Sequence, residues 1–371
     1  MEQRIITPGE NYKGLDEWIK GTGCKKILMV CDGSIQFQTA FNAHLKEIEE
    51  VRINRFTDFQ PNPLYENVRA GVKVFREAEC DAIMAVGGGS TIDVAKCIKL
   101  YSNLPGNGEN GSWLSAVYVQ NKIPFLAMPT TAGTGSEATR FAVIYYDGKK
   151  QSVTSDSFIP DTVLMDPNTL ITLPLYQKKA TMCDALCHAI ESFWSVNSTE
   201  ESKRYSKAAI QGVIKNMDGY LNNTEEGRAG MLLAANTAGK AINITQTTAG
   251  HAMCYKITSL FGCAHGHAAI LCDRVLFPWM VENTDKCIDP RGEDYLKKTL
   301  DEIGLALGCK DDRAGAKKLG GIFENLELEI PKANDTQYEE LKTCVNPVRL
   351  KNHPIQLDTE TIDKLYHEVL R

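Results

Sequence analysis

Asp81-Ala-Ile-Met-Ala-Val-Gly-Gly-Gly-Ser-Thr-Ile-Asp-Val-Ala-Lys96 is the stretch that decides the fold. A buried strand, residues 81–86, runs into Gly87, Gly88, Gly89 and Ser90, and a helix opens at Thr91. The same alternation continues on both sides. Upstream, residues 26–31 form an apolar run ending in Asp32-Gly33-Ser34, and residues 51–56 read as a second strand. A helical stretch, residues 65–78, follows the turn Gln60-Pro-Asn-Pro63. Downstream, residues 123–128 and 163–165 are strands, and residues 141–146 with 150–154 suggest a hairpin around Asp147-Gly148. Strands alternating with helices argue a parallel sheet covered on both faces.

After Leu173-Pro174 the texture changes to helical periodicity alone, over 176–196, 199–221, 225–260, 265–283, 294–307, 313–327, 336–344 and 359–370. The expectation is therefore an α/β domain over 1–175 and an all-helical domain over 176–371. A chain of 371 residues is long enough for two cores. A net charge of -6 disfavours nucleic acid and anionic membranes as partners. Residues 1–8 carry no signal-peptide pattern, and no run of eighteen apolar residues suggests a span. The twelve cysteines are scattered without a CxxC pair, which reads as free buried thiols in a reducing cytoplasm.

Three loops carry chemistry. The Gly87–Ser90 turn presents backbone N–H groups at a helix N-terminus, a site for a pyrophosphate, although a tight turn without a ligand would look the same. The stretch from Pro129 to Glu137, with Thr130, Thr131 and Thr134, again ends a strand and suits phosphate, ribose or a nicotinamide amide; the plainer alternative is a hydroxyl-rich cap. Asp32 closes the first apolar strand, where an acid binds ribose hydroxyls and repels a 2′-phosphate, favouring NAD(H) over NADP(H).

A different residue set lies in the helical half. Asp184 and His188 are four apart on one helix face, His251 and His265 lie in two further helical segments, and His267 follows closely. One carboxylate with imidazoles is a ligand set for a divalent metal, and Fe2+ and Zn2+ both fit.

Together these motifs resemble the iron-containing (group III) alcohol dehydrogenase family, which shares its fold with dehydroquinate synthase and glycerol dehydrogenase. The matching stretches are Gly87 to Lys96, Pro129 to Glu137, Asp161 to Pro167, Asp184 to Glu191, and His251 with His265-Gly266. The resemblance implies the dehydroquinate synthase-like fold: an α/β N-terminal Rossmann-like parallel-sheet domain plus an all-α C-terminal domain, with the active site in the cleft between. It puts the four metal ligands on Asp184, His188, His251 and His265. Cofactor contacts fall on Asp32, Asn62, Gly87 to Ser90, Asp93, Thr130, Thr131, Thr134 and Lys150. It makes Fe2+ the first choice of metal and implies a homodimer.

Two positions depart from the family. Tyr255 stands where many members have a histidine considered for proton transfer, which leaves Tyr255, His267 or water as proton donor. Met182 stands where many have glycine. Residues 191–202, 255–261 and 345–352 look like the branch that includes phosphonoacetaldehyde reductases. In that branch a glycine often replaces the ribose acid, so Asp32 is a departure.

The expected activity is hydride transfer between a nicotinamide and a small aldehyde or alcohol. Lys256 and Arg140 are two cations suited to an anionic aldehyde such as phosphonoacetaldehyde, set against the plainer reading of a solvated lysine and an ion-paired surface arginine. The alternatives are a general short-chain alcohol or diol dehydrogenase, a dehydroquinate synthase-type lyase, and an inactive nucleotide-binding protein.

Overall fold

The computed structural model describes residues 3–9, 11–345 and 350–371. Of the stretch 345–352, residues 346–349 thus lie outside the described residues. Two compact units form, Met1–Thr131 with Gly135–Leu173, and Ala132–Thr134 with Pro174–Arg371.

The first unit is built on a six-stranded sheet, all of whose pairings are parallel. Its strands are β1 (Arg4–Ile6), β2 (Lys26–Cys31), β3 (Arg52–Phe56), β4 (Ala82–Gly87), β5 (Phe125–Pro129) and β8 (Thr162–Leu164), in the order β1-β8-β5-β4-β2-β3. The central strands are apolar throughout because both faces are covered. Leu28, Val30, Ile83 and Ala85 pack in one core with residues of α3 (Tyr65–Glu77) and α4 (Gly89–Tyr101). Ile27, Met29, Ala82, Met84 and Val86 point the opposite way, into a core with α1 (Lys13–Thr22) and α2 (Thr39–Glu47). This is the period-two alternation of a strand buried on both sides. The hairpin β6 (Phe141–Tyr146) and β7 (Lys149–Thr154) turns at Asp147 and Gly148, both at positive φ, as a two-residue type I′ loop requires.

Beyond the sequence expectations lie β1, α1 and α2. A three-residue strand is too short for periodicity to mark, and it forms because β8 pairs with it, Arg4 opposite Thr162.

The second unit is helical: α5 (Leu175–Trp194), α6 (Glu200–Leu221), α7 (Glu225–Thr245), α8 (Ala249–Phe261), α9 (His265–Glu282), α10 (Glu293–Ala306), α11 (Asp312–Asn325), α12 (Asp335–Thr343) and α13 (Thr359–Val369). The single helix expected over 225–260 is corrected to two. Gln246 takes a positive φ of 61°, and the run Gln246-Thr247-Thr248 separates α7 from α8. β-Branched threonines with hydroxyls that seek local partners weaken a helix at that point. No helix of the described residues is long and apolar enough to cross a membrane. All twelve cysteines are free, and eight of them are buried.

Candidate metal centre and nucleotide loops

The chain reaches β3 on one side of β2, then returns to lay β4 on the other side. The carboxyl ends of β2 and β4 therefore flank a switch point, where open α/β sheets bind ligands. Three of the predicted loops meet at this edge. Asp32 follows β2, the glycine turn follows β4, and Thr130 and Thr131 follow β5. Thr130 N donates to Gly87 O (3.0 Å), and Ser34 Oγ donates to Thr130 Oγ1 (3.2 Å).

Asp32 ties the turn together. Its Oδ1 accepts Ser34 N (2.8 Å), and its Oδ2 accepts Gly88 N (3.3 Å) and the Thr91 hydroxyl (2.5 Å). A carboxylate offers about four acceptor sites, so one on Oδ1 is left for a ribose hydroxyl. A Cβ on Gly87 would sit 2.4 Å from Asp32 Oδ2, so only glycine lets the acid approach this closely. Gly88, at the N-cap of α4, supplies no capping side chain, which leaves the first-turn N–H groups of Gly89 and Ser90 for an anionic ligand. These residues fit the pyrophosphate and ribose of a dinucleotide.

Other predicted cofactor residues stand differently. Asp93 fastens protein to protein: Ser136 Oγ (2.6 Å) and Val143 N (2.9 Å) donate to its two oxygens. Burial raises its carboxyl above the usual range against the pull of Lys96. Lys150 lies on β7 opposite Tyr145 and is near enough to Asp93 to favour its charged form. Asn62 is exposed at a left-handed φ of 58° in the turn before α3. Thr134 belongs with the second unit, in the segment Ala132–Thr134. Arg140 pairs with Asp156 (3.9 Å) and lies over the Phe141 ring.

In the helical unit, Asp184, His188 and His251 come together. Their ligand atoms all lie within 4.8 Å of one another, and all three residues are buried. The i, i+4 spacing on α5 sets His188 Nε2 3.9 Å from Asp184 Oδ1. His251, from the first turn of α8, brings its Nε2 to 3.4 Å from the same oxygen and stacks on His188 with centroids 4.4 Å apart. His265 opens α9, with its ring 5.2 Å from that of His251 and its Nδ1 3.6 Å from Cys254 Sγ. It borders the three-residue cluster and is near enough for its charge to lower Asp184. α9 reaches this point because Gly266 passes α5 backbone to backbone: a Cβ there would lie 2.0 Å from Ala180 O and 2.5 Å from Asp184 Cβ.

The electrostatics of the cluster follow from burial and from its opposed charges. Burial opposes the charge on Asp184, yet His188, His251 and His265 hold its carboxyl well below the usual range. Burial keeps His188 neutral, pulled down to about 4. Burial would also discharge His251, but Glu191 and Asp184 together push it up to about 10. Asp184, a buried carboxylate, thus favours a positive charge at the point where two Nε2 atoms converge. A divalent cation among one carboxylate and imidazoles supplies that charge, so the donor set fits a metal.

Glu191 was not singled out from the sequence, although Asp184, His188 and Glu191 at i, i+4 and i+7 share one helical stripe. It is fully buried and bonded to His251. The proton-donor candidates separate. Tyr255 lies with its ring 5.0 Å from that of His265. His267, two residues from His265 and so about 200° around the helix, instead lies 3.0 Å from the Tyr176 hydroxyl, which accepts Ala264 N. Lys256 pairs with Glu340 of α12, which neutralises its charge locally.

Comparison with known proteins agrees with this architecture. Residues 3–167 match the model of the iron-containing alcohol dehydrogenase family, and residues 178–370 match the Fe-containing alcohol dehydrogenase family, C-terminal. A phosphonoacetaldehyde reductase from Streptomyces viridochromogenes is 30% identical over 315 residues, covering 82% of this chain and 80% of the relative. Alcohol dehydrogenase 4 of Schizosaccharomyces pombe is 31% identical over 306 residues, 80% of this chain and 69% of the relative. A sulfoacetaldehyde reductase from Bifidobacterium kashiwanohense, solved in complex with NAD+, superposes with a TM-score of 0.88 at 25% identity, covering 99% of this chain and 97% of that one. An iron-containing alcohol dehydrogenase from Thermococcus thioreducens shares the fold, with a TM-score of 0.87 at 22% identity, covering 100% of this chain and 99% of that one. With both halves of its length matched in order, the chain belongs to the iron-containing alcohol dehydrogenase family.

Proposed function

We propose that this protein is a metal-dependent, nicotinamide-linked aldehyde reductase and alcohol dehydrogenase that takes a small aldehyde bearing a phosphonate or sulfonate. The observation that carries the reading is the buried cluster of Asp184, His188 and His251. Two of the similar proteins, the phosphonoacetaldehyde and sulfoacetaldehyde reductases, are named for anionic two-carbon aldehydes, which supports the substrate class.

The chemistry divides between groups. A divalent cation at Asp184, His188, His251 and His265 would supply Lewis acidity toward a carbonyl or alkoxide oxygen, and a bound nicotinamide would exchange the hydride. The protein's own residues bind and orient. Gly89 and Ser90 offer N–H groups to a pyrophosphate, while Asp32 has an acceptor for ribose and a charge that repels a 2′-phosphate, favouring NAD(H). Asp184 supplies the negative charge of the ligand set, and the neutral His188 a nitrogen lone pair. Tyr255, beside His265, is the better-placed proton donor of the two candidates. Iron is favoured over zinc by family membership, and a cytoplasmic homodimer completes the reading.

Metal analysis by mass spectrometry, followed by NADH and NADPH oxidation with phosphonoacetaldehyde, sulfoacetaldehyde, propanal and lactaldehyde, tests it. Expected are one divalent ion per chain, preference for NADH, and higher kcat/KM for the two anionic aldehydes. Equal turnover of propanal would favour a general short-chain dehydrogenase instead. Light scattering on the purified protein tests the dimer.

A further inference from the structure

Four donors converge on one buried carboxylate. Glu191 Oε2 accepts the backbone N–H (2.5 Å) and the hydroxyl (2.7 Å) of Thr248. Its Oε1 accepts the backbone N–H of His251 (2.9 Å) and the His251 ring at Nδ1. Glu191 has no exposed surface, and four bonds match the roughly four acceptor sites of a carboxylate.

All four donors come from the start of one helix. Thr248 is the N-cap of α8 and His251 its third residue, so the backbone donors are among those that a helix start leaves without intrahelical partners. Thr248 makes no side-chain cap bond to its own helix. Its hydroxyl accepts Trp194 Nε1 (2.8 Å) and donates to Glu191. The carboxylate on α5 therefore caps α8 from outside and holds the ring of a residue in its first turn.

The ring contact has a chemical direction. An imidazole whose Nδ1–H donates to a carboxylate carries its lone pair on Nε2. His251 Nε2 is the atom 3.4 Å from Asp184 Oδ1, inside the candidate metal cluster. We propose that Glu191 is a positioning residue of the metal centre. It selects the Nδ1–H tautomer of His251 and holds the ring so that Nε2 faces the ion. The inference rests on the metal reading above and adds to it a residue that need not touch the ion. Because Asp184, His188 and Glu191 share one stripe of α5, a single helix then supplies two ligands and the orienting group for a third.

The test compares Glu191→Gln with the wild type in binding Co2+ by chelator competition, with NADH affinity and circular dichroism of the metal-free proteins as controls. The variant should bind Co2+ roughly 10–100-fold more weakly, as loss of a carboxylate behind a ligating histidine does. Its visible Co2+ bands should change, while NADH affinity stays within about twofold, because Asp32, the glycine turn and Thr130 belong to the other unit. A variant that folds and binds Co2+ within about twofold of wild type overturns the role. Wild-type protein that takes up no Co2+ overturns the metal reading, and this inference with it. Should Glu191→Gln fail to fold, 15N-histidine NMR of the Zn2+-loaded wild type decides. A hydrogen on Nδ1 of His251 supports the proposal, and one on Nε2 overturns it.

Discussion

Replacing Gly266 with alanine adds one methyl group where α9 crosses α5. The new Cβ would lie 2.0 Å from Ala180 O, 2.5 Å from Asp184 Cβ and 2.7 Å from Asp184 N. A carbon–oxygen contact relaxes at about 3.3 Å, so the helices must part by roughly 1.3 Å at this point. Ala180 O and Asp184 N do not yield easily, because both belong to the backbone of α5, whose carbonyls and amides bond each other four residues apart. Overpacking of this kind costs about 1–3 kcal/mol, which for a unit of this size lowers Tm by roughly 2–12 °C. His265 adjoins Gly266 and is carried with α9, away from Asp184. A displacement of about 1 Å at a reacting centre lowers turnover on the order of 100-fold. Differential scanning fluorimetry, metal content and NADH-dependent aldehyde reduction on one preparation read all three effects. A variant with wild-type Tm, full metal and full turnover would refute the close approach of the two helices as the reason for glycine here.

Four further outcomes follow from the same geometry. Asp184→Asn removes the charge on which two Nε2 atoms converge; bound metal and activity should fall together, and retention of stoichiometric metal would remove Asp184 from the ligand set. Asp32→Gly should raise the NADPH:NADH ratio of kcat/KM by about tenfold, the scale of a carboxylate repelling a phosphate in water a few ångströms away; a wild type that already prefers NADPH contradicts the ribose assignment. His353 is fully buried and held down to about 4 by burial, with Glu191 pulling the other way. Between pH 4 and 6.5 the unfolded chain then binds the extra proton, so stability is lost as pH falls through this window, by about 1.4 kcal/mol per unit from this one residue. His353→Leu should flatten that slope in urea titrations of the metal-free protein, and an unchanged slope would assign it elsewhere. Lys256→Ala should raise KM for anionic aldehydes alone if the lysine leaves Glu340 to meet substrate; equal effects on propanal would confine it to its ion pair.

The parallel sheet was legible because β2, β4 and β5 are apolar on both faces and each runs into a loop of glycine or hydroxyl residues. Asp184 and His188 could be read as a pair because i, i+4 spacing on a helix places two side chains on one face. The remaining features depend on partners distant in sequence. β1 exists because β8 pairs with it across more than 150 residues, and α1 and α2 are amphipathic stretches of only ten and nine residues. The start of α8 is capped by Glu191 taking the Thr248 donors, a bond that spans 57 residues. Glu191 looked like one more helix glutamate because a buried carboxylate is recognisable only once its donors surround it. The pairing of Lys256 with Glu340 was likewise invisible, since α12 lies some eighty residues along the chain.

The pairing of β1 with β8 also sets the order in which the first unit can be completed. At about 5–20 residues per second of synthesis, roughly 8–30 s separate the emergence of Ile6 from that of Thr162. For that interval on the ribosome the earliest strand has no neighbour to receive it. β2 with β3, and then β4, can assemble while it waits. The nascent sheet therefore carries an open edge at β5 until the closing strand arrives, and a mutation that weakens β8 should expose that edge to aggregation during synthesis before it measurably changes the finished protein.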